Sequence, residues 1–178
     1  MVIRIADKNE FEKVRSFYYS LIDSMEKARY SPGWKKGIYP TDDYLAESIN
    51  KHELFIGETD GKISMAMIVN SSFNEGYNRA VWPTEAKPDE VTVIHAFCVH
   101  PDYSRQGLAK QAVAYVMETA KEQMKKVIRL DVLEGNIPAE NLYLSMGFQY
   151  VDTLEMYYED TGWTGYKLFE YRLSNGRS

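Results

Sequence analysis

The chain has 178 residues, 44% hydrophobic and 26% charged, with a formal net charge of −5 at pH 7, which suits one soluble globular domain with room for a substantial core. No run approaches the ~18–20 apolar residues of a membrane span, and the start, Met1-Val2-Ile3-Arg4-Ile5, lacks the apolar core of a signal peptide. A cytoplasmic protein is therefore expected, with no membrane partner, and the acidic balance argues against nucleic acid and mildly for cationic ligands.

Val2 to Ile5 is a short β-rich run. Asp7, followed three residues on by Glu10, is a capping-box signature for a helix start. Phe11, Val14, Tyr18, Leu21, Met25 and Ala28 then recur at spacings of three and four, which predicts a helix of about five turns. Ser31-Pro32-Gly33 should end it. Gly33 to Pro40 reads as an irregular loop carrying Trp34 and Tyr39, and Thr41 as the cap of a second helix with Asp42 and Asp43 in its first turn. Glu53 to Glu58 and Lys62 to Phe73 are strands around the hairpin signal Thr59-Asp60-Gly61. Asn74 to Glu90 is expected to be a surface excursion. Val91 to Val99 is apolar on both alternations, with Val91, Val93, Phe97 and Val99 on one face and Ile94, Ala96 and Cys98 on the other. Such a strand is covered on both sides and central to its sheet.

Between this strand and the next helix lies Gln106-Gly107-Leu108-Ala109. A strand, a glycine loop and a helix start make an anion site, because the first helical N–H groups lack intrahelical partners and sit at the positive end of the dipole. In the helix (106–125), Ala109, Val113, Val116, Ala120 and Met124 keep the inner period, while Lys110, Glu118, Lys121 and Glu122 face water. Val127 to Leu133 is another buried strand. Asn136 and Pro138 open a short helix whose inner face is Ala139, Leu142, Tyr143 and Met146, closed by Gly147. Phe148 to Tyr158 and Gly165 to Leu173 are strands joined through Glu159-Asp160-Thr161-Gly162, and Ser174 to Ser178 is a frayed tail. The order predicts one mixed sheet, with a right-handed parallel unit at 91–133 flanked by antiparallel hairpins and helices on both faces. Tyrosine is abundant, 14 in all, so aromatic walls for a pocket are expected as well as core.

Two motifs carry a family resemblance. Val99-His100-Pro101-Asp102-Tyr103-Ser104-Arg105-Gln106-Gly107-Leu108-Ala109 is close to a phosphate loop of Arg or Gln, two residues, Gly, one residue, Gly or Ala. Asn136-Ile137-Pro138-Ala139-Glu140-Asn141-Leu142-Tyr143-Leu144-Ser145-Met146-Gly147-Phe148 is close to Asn-x-x-Ala-x-x-Leu-Tyr-x-x-x-Gly-Phe. In this order and on these elements they resemble the GNAT superfamily of acyl-CoA-dependent N-acyltransferases, over roughly residues 90–150. The fold the resemblance implies is a three-layer α/β (mixed α+β) domain with a central, largely antiparallel sheet. Ser104 and Ser145 depart from the residues most often found there. The resemblance therefore puts phosphate affinity on backbone N–H groups, Arg105 and Lys110.

The resemblance implies acetyl-CoA as co-substrate, with Arg105, Gln106, Gly107, Leu108, Ala109 and Lys110 around the pyrophosphate. It also implies that the Phe97, Cys98 and Val99 backbone and Asn136 hold the pantetheine arm. Hydrogen bonds from that strand to the developing oxyanion would lower the barrier, typically by several kcal/mol. Tyr143 corresponds to the general acid that hydrogen-bonds the departing thiolate; otherwise it is a core aromatic. A thiol of pKa roughly 8.5 and a phenol of about 10 can share a proton.

His95 heads a run, His95-Ala96-Phe97-Cys98-Val99-His100, similar to that of the arylalkylamine acetyltransferases, in which the first histidine takes part in proton removal. Val93 stands where those enzymes have a further histidine and where histone-type members carry a glutamate base. The alternative for His95 is an inert, hydrogen-bonded strand histidine. A base is needed, because an alkylamine of pKa roughly 10.4 is uncharged in about one molecule in 2,500 at pH 7, a penalty near 4–5 kcal/mol. His100 reads as a loop residue.

Cys98 lies on a buried apolar strand without a basic neighbour and reads as inert core; being alone, it can form no intrachain disulfide, in keeping with a reducing cytoplasm. Three scattered histidines and one cysteine make no metal site. Tyr18, Trp34 and Tyr39 are the candidates for an acceptor pocket, with simple packing as the alternative.

The function implied is acetyl transfer from acetyl-CoA to a primary amine, by direct attack in a ternary complex. The acceptor is a small molecule or a protein amine; a homodimer is left open. The alternatives are a non-catalytic coenzyme-A-binding sensor and a transferase of longer acyl groups.

Overall fold

The computed structural model describes residues 1–25 and 28–174. They form a seven-stranded sheet of β1 (Val2–Ile5), β2 (Leu54–Thr59), β3 (Lys62–Asn70), β4 (Val91–Val99), β5 (Val127–Leu133), β6 (Gln149–Tyr158) and β7 (Gly162–Arg172). The spatial order is β1-β2-β3-β4-β5-β7-β6, antiparallel throughout except for β4 and β5. Helices α1 (Phe11–Met25) and α2 (Asp42–Asn50) cover one face through Val14, Tyr18, Leu21, Leu45 and Ile49. Helices α3 (Leu108–Glu122) and α4 (Ile137–Ser145) cover the other through Ala112, Val113, Val116, Ala120 and Tyr143. The three-layer mixed fold expected from the sequence is the one observed.

Local signals set most boundaries. Thr41 Oγ1 accepts the Tyr44 N–H at 3.0 Å, capping α2. Glu10 accepts the Asp7 N–H at 2.9 Å, but the capping box opens a 3-10 turn at Lys8–Glu10 rather than the α-helix itself. α1 is accordingly 15 residues long, about four turns rather than five. Ala28 lies beyond it and is exposed, so it gives no apolar reason for another turn. Likewise Met124 is 81% exposed at φ 55, past the end of α3, so the helical period stops at Ala120. β3 ends at Asn70, not Phe73, because Asn70 Oδ1 turns the chain by accepting the Ser72 N–H at 3.0 Å. β7 begins at Gly162, not Gly165, paired with Tyr158 across a tighter turn.

Two corrections bear on the site. The stretch from Asn74 to Glu90 is not a mere surface excursion. Tyr77 is 2% exposed, Trp82 Nε1 donates to its carbonyl at 2.9 Å, and the Arg129 guanidinium lies 4.2 Å from the Trp82 ring. Strand β4 also changes phase midway. Ala66 faces Cys98 but Ile68 faces His95, so one extra residue is accommodated at Ala96, whose φ is 47. Ile94 consequently packs with Phe97 and Val99 toward α3, whereas Ala96 and Cys98 face α1, and Val91 and Val93 join a third cluster with Tyr77. Strict alternation therefore put Val91 and Val93 on the wrong face relative to Phe97. A left-handed conformation costs a non-glycine residue ~1–2 kcal/mol. The hydroxyl of buried Tyr18 helps to hold it, donating to the Ala96 carbonyl at 2.8 Å.

Glu10 also anchors β1. Arg4 reaches both of its oxygens, at 2.8 and 2.9 Å, and extends to Glu58 at 3.0 Å. The Arg4 hydrogen bonds pull the Glu10 carboxyl from 4.5 to about 2, against the desolvation that would raise it. A depressed folded-state pKa means that this contribution is present above pH ~4.5 and lost as pH falls toward ~2. Glu10→Gln is expected to cost about 1–3 kcal/mol at pH 7 and to flatten the stability loss across that window, as urea titration at several pH values would read.

Candidate active site

The loop after β4 presents a bare helix start. Arg105 and Gly107 both have positive φ, 61 and 74, and turn the chain sharply into α3. The first intrahelical bond runs from Gln111 N–H to the Gly107 carbonyl at 3.1 Å. The N–H groups of Leu108, Ala109 and Lys110 precede it, and among the described residues no backbone carbonyl accepts them. A Cβ built on Gly107 would meet nothing within 4 Å, so open space lies before these donors. Arg105, Gln106 and Lys110 are exposed around it, Leu108 is buried beneath, and Ala109 is half-buried. Bare N–H groups, an open approach and two cations, Arg105 and Lys110, suit a pyrophosphate.

β4 and β5 are paired only at Val91, Thr92 and Val93 against Val127, Ile128 and Arg129. Past that point they part, and a cavity of about 650 Å³, counting its open mouth, fills the gap. On one side it is lined by Phe97 of β4 and by Asn136, Ala139 and Tyr143 of α4. Asn136 takes the cap position of α4, yet its side chain makes no cap bond, which leaves the amide available to the cavity. Tyr143 is 6% exposed, with Phe148 packed edge-on at 5.3 Å. Burial, with the field of Asp131, raises its phenol well above the ordinary value, so it stays protonated as a donor.

The other side holds His95, Asp131, Trp34, Tyr39, Tyr158, Asp160 and Tyr166. His95 Nε2 lies 2.9 Å from the Ser72 carbonyl and 3.0 Å from Asn70 Oδ1. A carbonyl only accepts, so this network assigns the proton to Nε2 and the lone pair to Nδ1. Burial lowers the His95 pKa to about 4, only partly offset by the Ser72 bond. Asp131 is the opposite case. Desolvation raises its carboxyl above the ordinary range, although Tyr77 and Tyr158 donate to Oδ2 at 2.8 and 2.9 Å. No side chain among the described residues donates to its Oδ1.

Of the three proposed acceptor-pocket residues, Trp34 and Tyr39 line the cavity. Tyr18 does not. It is fully buried behind Trp34, ring centroids 6.1 Å apart, with its hydroxyl committed to the Ala96 bulge. Cys98 is buried, its thiol pushed up by desolvation and lying 3.8 Å from the Ala66 carbonyl. Val99 is half-buried against α3. His100 caps the turn after β4, accepting the Asp102 N–H at 3.3 Å.

Asp131, Tyr158, Asp160 and Tyr166 entered no expectation. Asp131 carried a signal, an acid inside the otherwise buried run Val127 to Leu133. The other three lay on what read as an ordinary hairpin.

A family model described as Acetyltransferase (GNAT) family matches residues 18–148. The [ribosomal protein bS18]-alanine N-acetyltransferases of Escherichia coli K12 and Shigella flexneri are 31% identical over 78 residues, 44% of this chain and 52% of theirs. The chain thus spans about half the length of the curated relatives it matches. Among solved structures, a GNAT-family acetyltransferase from Streptococcus agalactiae superposes with a TM-score of 0.80 at 18% identity, covering 98% of this chain and 96% of that one. An acetyltransferase from Salmonella typhimurium, solved with its cofactor acetyl-CoA, gives 0.70 at 17% identity over 100% and 96%. These likenesses are likenesses of fold. With the family model spanning residues 18–148, the chain belongs to the GNAT family of acetyltransferases.

Proposed function

We propose that this chain transfers an acetyl group from acetyl-CoA to a primary amine by direct attack within a ternary complex. The observation that carries the reading is the single cavity in the parting of β4 and β5, which brings Tyr143 and Asn136 together with His95 and Asp131. The coenzyme would supply an activated acyl carbonyl and a thiol leaving group. Leu108, Ala109 and Lys110 N–H groups, with Arg105, would hold its pyrophosphate, and Asn136 its pantetheine arm. Tyr143 donates its phenolic hydrogen bond to the sulfur as the C–S bond breaks and the C–N bond forms.

The proton that the amine must lose needs an acceptor. His95, at a pKa near 4, is neutral at pH 7 but lies about 6 units below an alkylammonium, roughly 9 kcal/mol uphill. That supports a hydrogen-bond acceptor at Nδ1 that orients the amine. Asp131, bonded at Oδ2 by Tyr77 and Tyr158 and with no side-chain donor at Oδ1 among the described residues, is the proton acceptor in this reading. Asp131→Asn is expected to lower kcat/KM by about 10²–10³-fold and to abolish the acidic limb of its pH profile. His95→Ala should keep that limb; loss of the limb only in His95→Ala would return the base role to the histidine.

The direct test is thermal shift with acetyl-CoA, followed by free-thiol release over a panel of amines. Stabilisation and amine-dependent release are expected. Stabilisation without release from any amine would favour the non-catalytic coenzyme-A sensor.

A further inference from the structure

The acceptor side of the cavity holds two carboxylates and, among the described residues, is lined by no Lys or Arg. Among the described residues, the side-chain donors to Asp131 are the hydroxyls of Tyr77 and Tyr158. Asp160, on the turn from β6 to β7, is 4% exposed, and its donors are the backbone N–H groups of Asp160 and Thr161. The cation whose field reaches Asp160 is Lys35, on the exposed surface of the loop outside the cavity. Desolvation disfavours charge on both carboxyls, a cost that a bound cation would relieve. The surrounding walls are four aromatic rings, Trp34, Tyr39, Tyr158 and Tyr166. Their faces attract ammonium groups.

The same walls limit size. Tyr39 meets Tyr158 edge-on at 6.3 Å, joining the 28–40 loop to the β6–β7 hairpin. Gly33 lies so near the hairpin turn that a Cβ there would sit 2.7 Å from Thr161 Cγ2. Loop and hairpin thus roof the site, which leaves a pocket rather than a groove for an extended polypeptide.

One carboxylate suffices for the proton of the reacting amine. We propose that the acceptor is a small aliphatic amine with a second positive charge, its distal ammonium held at Asp160 among the four rings while the reacting nitrogen lies toward Asp131. This rests on the acetyltransferase reading of the same cavity, and the test separates the two.

Binding of 1,4-diaminobutane and of butylamine to the protein saturated with coenzyme A would be measured by calorimetry, with kcat/KM for acetyl transfer to each. The diamine is expected to bind at least ten-fold more tightly, and Asp160→Asn to remove that advantage. Equal affinities in the unmodified protein, or an advantage that persists in Asp160→Asn, would overturn the proposal; the first comparison needs no variant to fold. Tight diamine binding without thiol release would sink the transferase reading and leave the dication site standing. Thiol release at equal kcat/KM and equal affinity for both amines would do the reverse.

Discussion

Tyr143→Phe is expected to lower kcat by about 10²–10⁴-fold while leaving acetyl-CoA affinity nearly unchanged. The ring keeps its place, because its contacts with Phe148 and Phe169 are made by carbons that phenylalanine retains. What disappears is one hydroxyl, a donor kept protonated by burial at the mouth of α4. A phenol that shares its proton with a thiolate acts late, when the sulfur is departing, so the loss belongs in kcat rather than in binding. Steady-state kinetics on several amines, beside a titration with acetyl-CoA, read both quantities. Unchanged turnover would remove Tyr143 from the acid role and leave it a core aromatic.

Gly107→Val is expected to raise the acetyl-CoA Kd by at least about 100-fold, ~2.7 kcal/mol. Two effects combine. The backbone at φ 74 is strained for a β-branched residue by more than the ~1–2 kcal/mol of an ordinary side chain. The new methyls would also enter the open space before the Leu108–Lys110 N–H groups, where an anion must come within hydrogen-bond reach. Nothing lies within 4 Å of the added Cβ, so the core is untouched and the fold should survive. Thermal shift with acetyl-CoA checks the affinity and circular dichroism the fold. Retained affinity would undo the assignment of the loop.

The two halves of the cavity were unequally visible in the sequence. Gly107, Asn136 and Tyr143 belong to contiguous strand–loop–helix segments, where spacing along the chain maps directly onto spacing in the fold. The acceptor side gathers Trp34, Asp131, Tyr158 and Tyr166 from a loop and three strands, and only tertiary packing brings them together. Tyr18 and Trp34 show the same limit at short range. A tyrosine on the apolar face of a helix looks alike whether it lines a pocket or closes a core, and here Tyr18 closes the core. The phase change at Ala96 had no signal either, since no glycine or proline marks it and its tyrosine partner lies 78 residues away.

That phase change has a consequence for how the site tolerates alteration. Ala96 acts on β4 as a frameshift acts on a message: everything downstream is read in a different frame from everything upstream. Flattening the bulge with Ala96 still in the strand would impose simple alternation from Ile94 onward and rotate Phe97 out of the α3 layer and Cys98 into it. The cavity would then be rebuilt with the wrong side chains although no amino acid had changed. The two layers packed against β4 are thus phased by a single backbone conformation, and its keeper is a tyrosine on α1 that does not line the cavity.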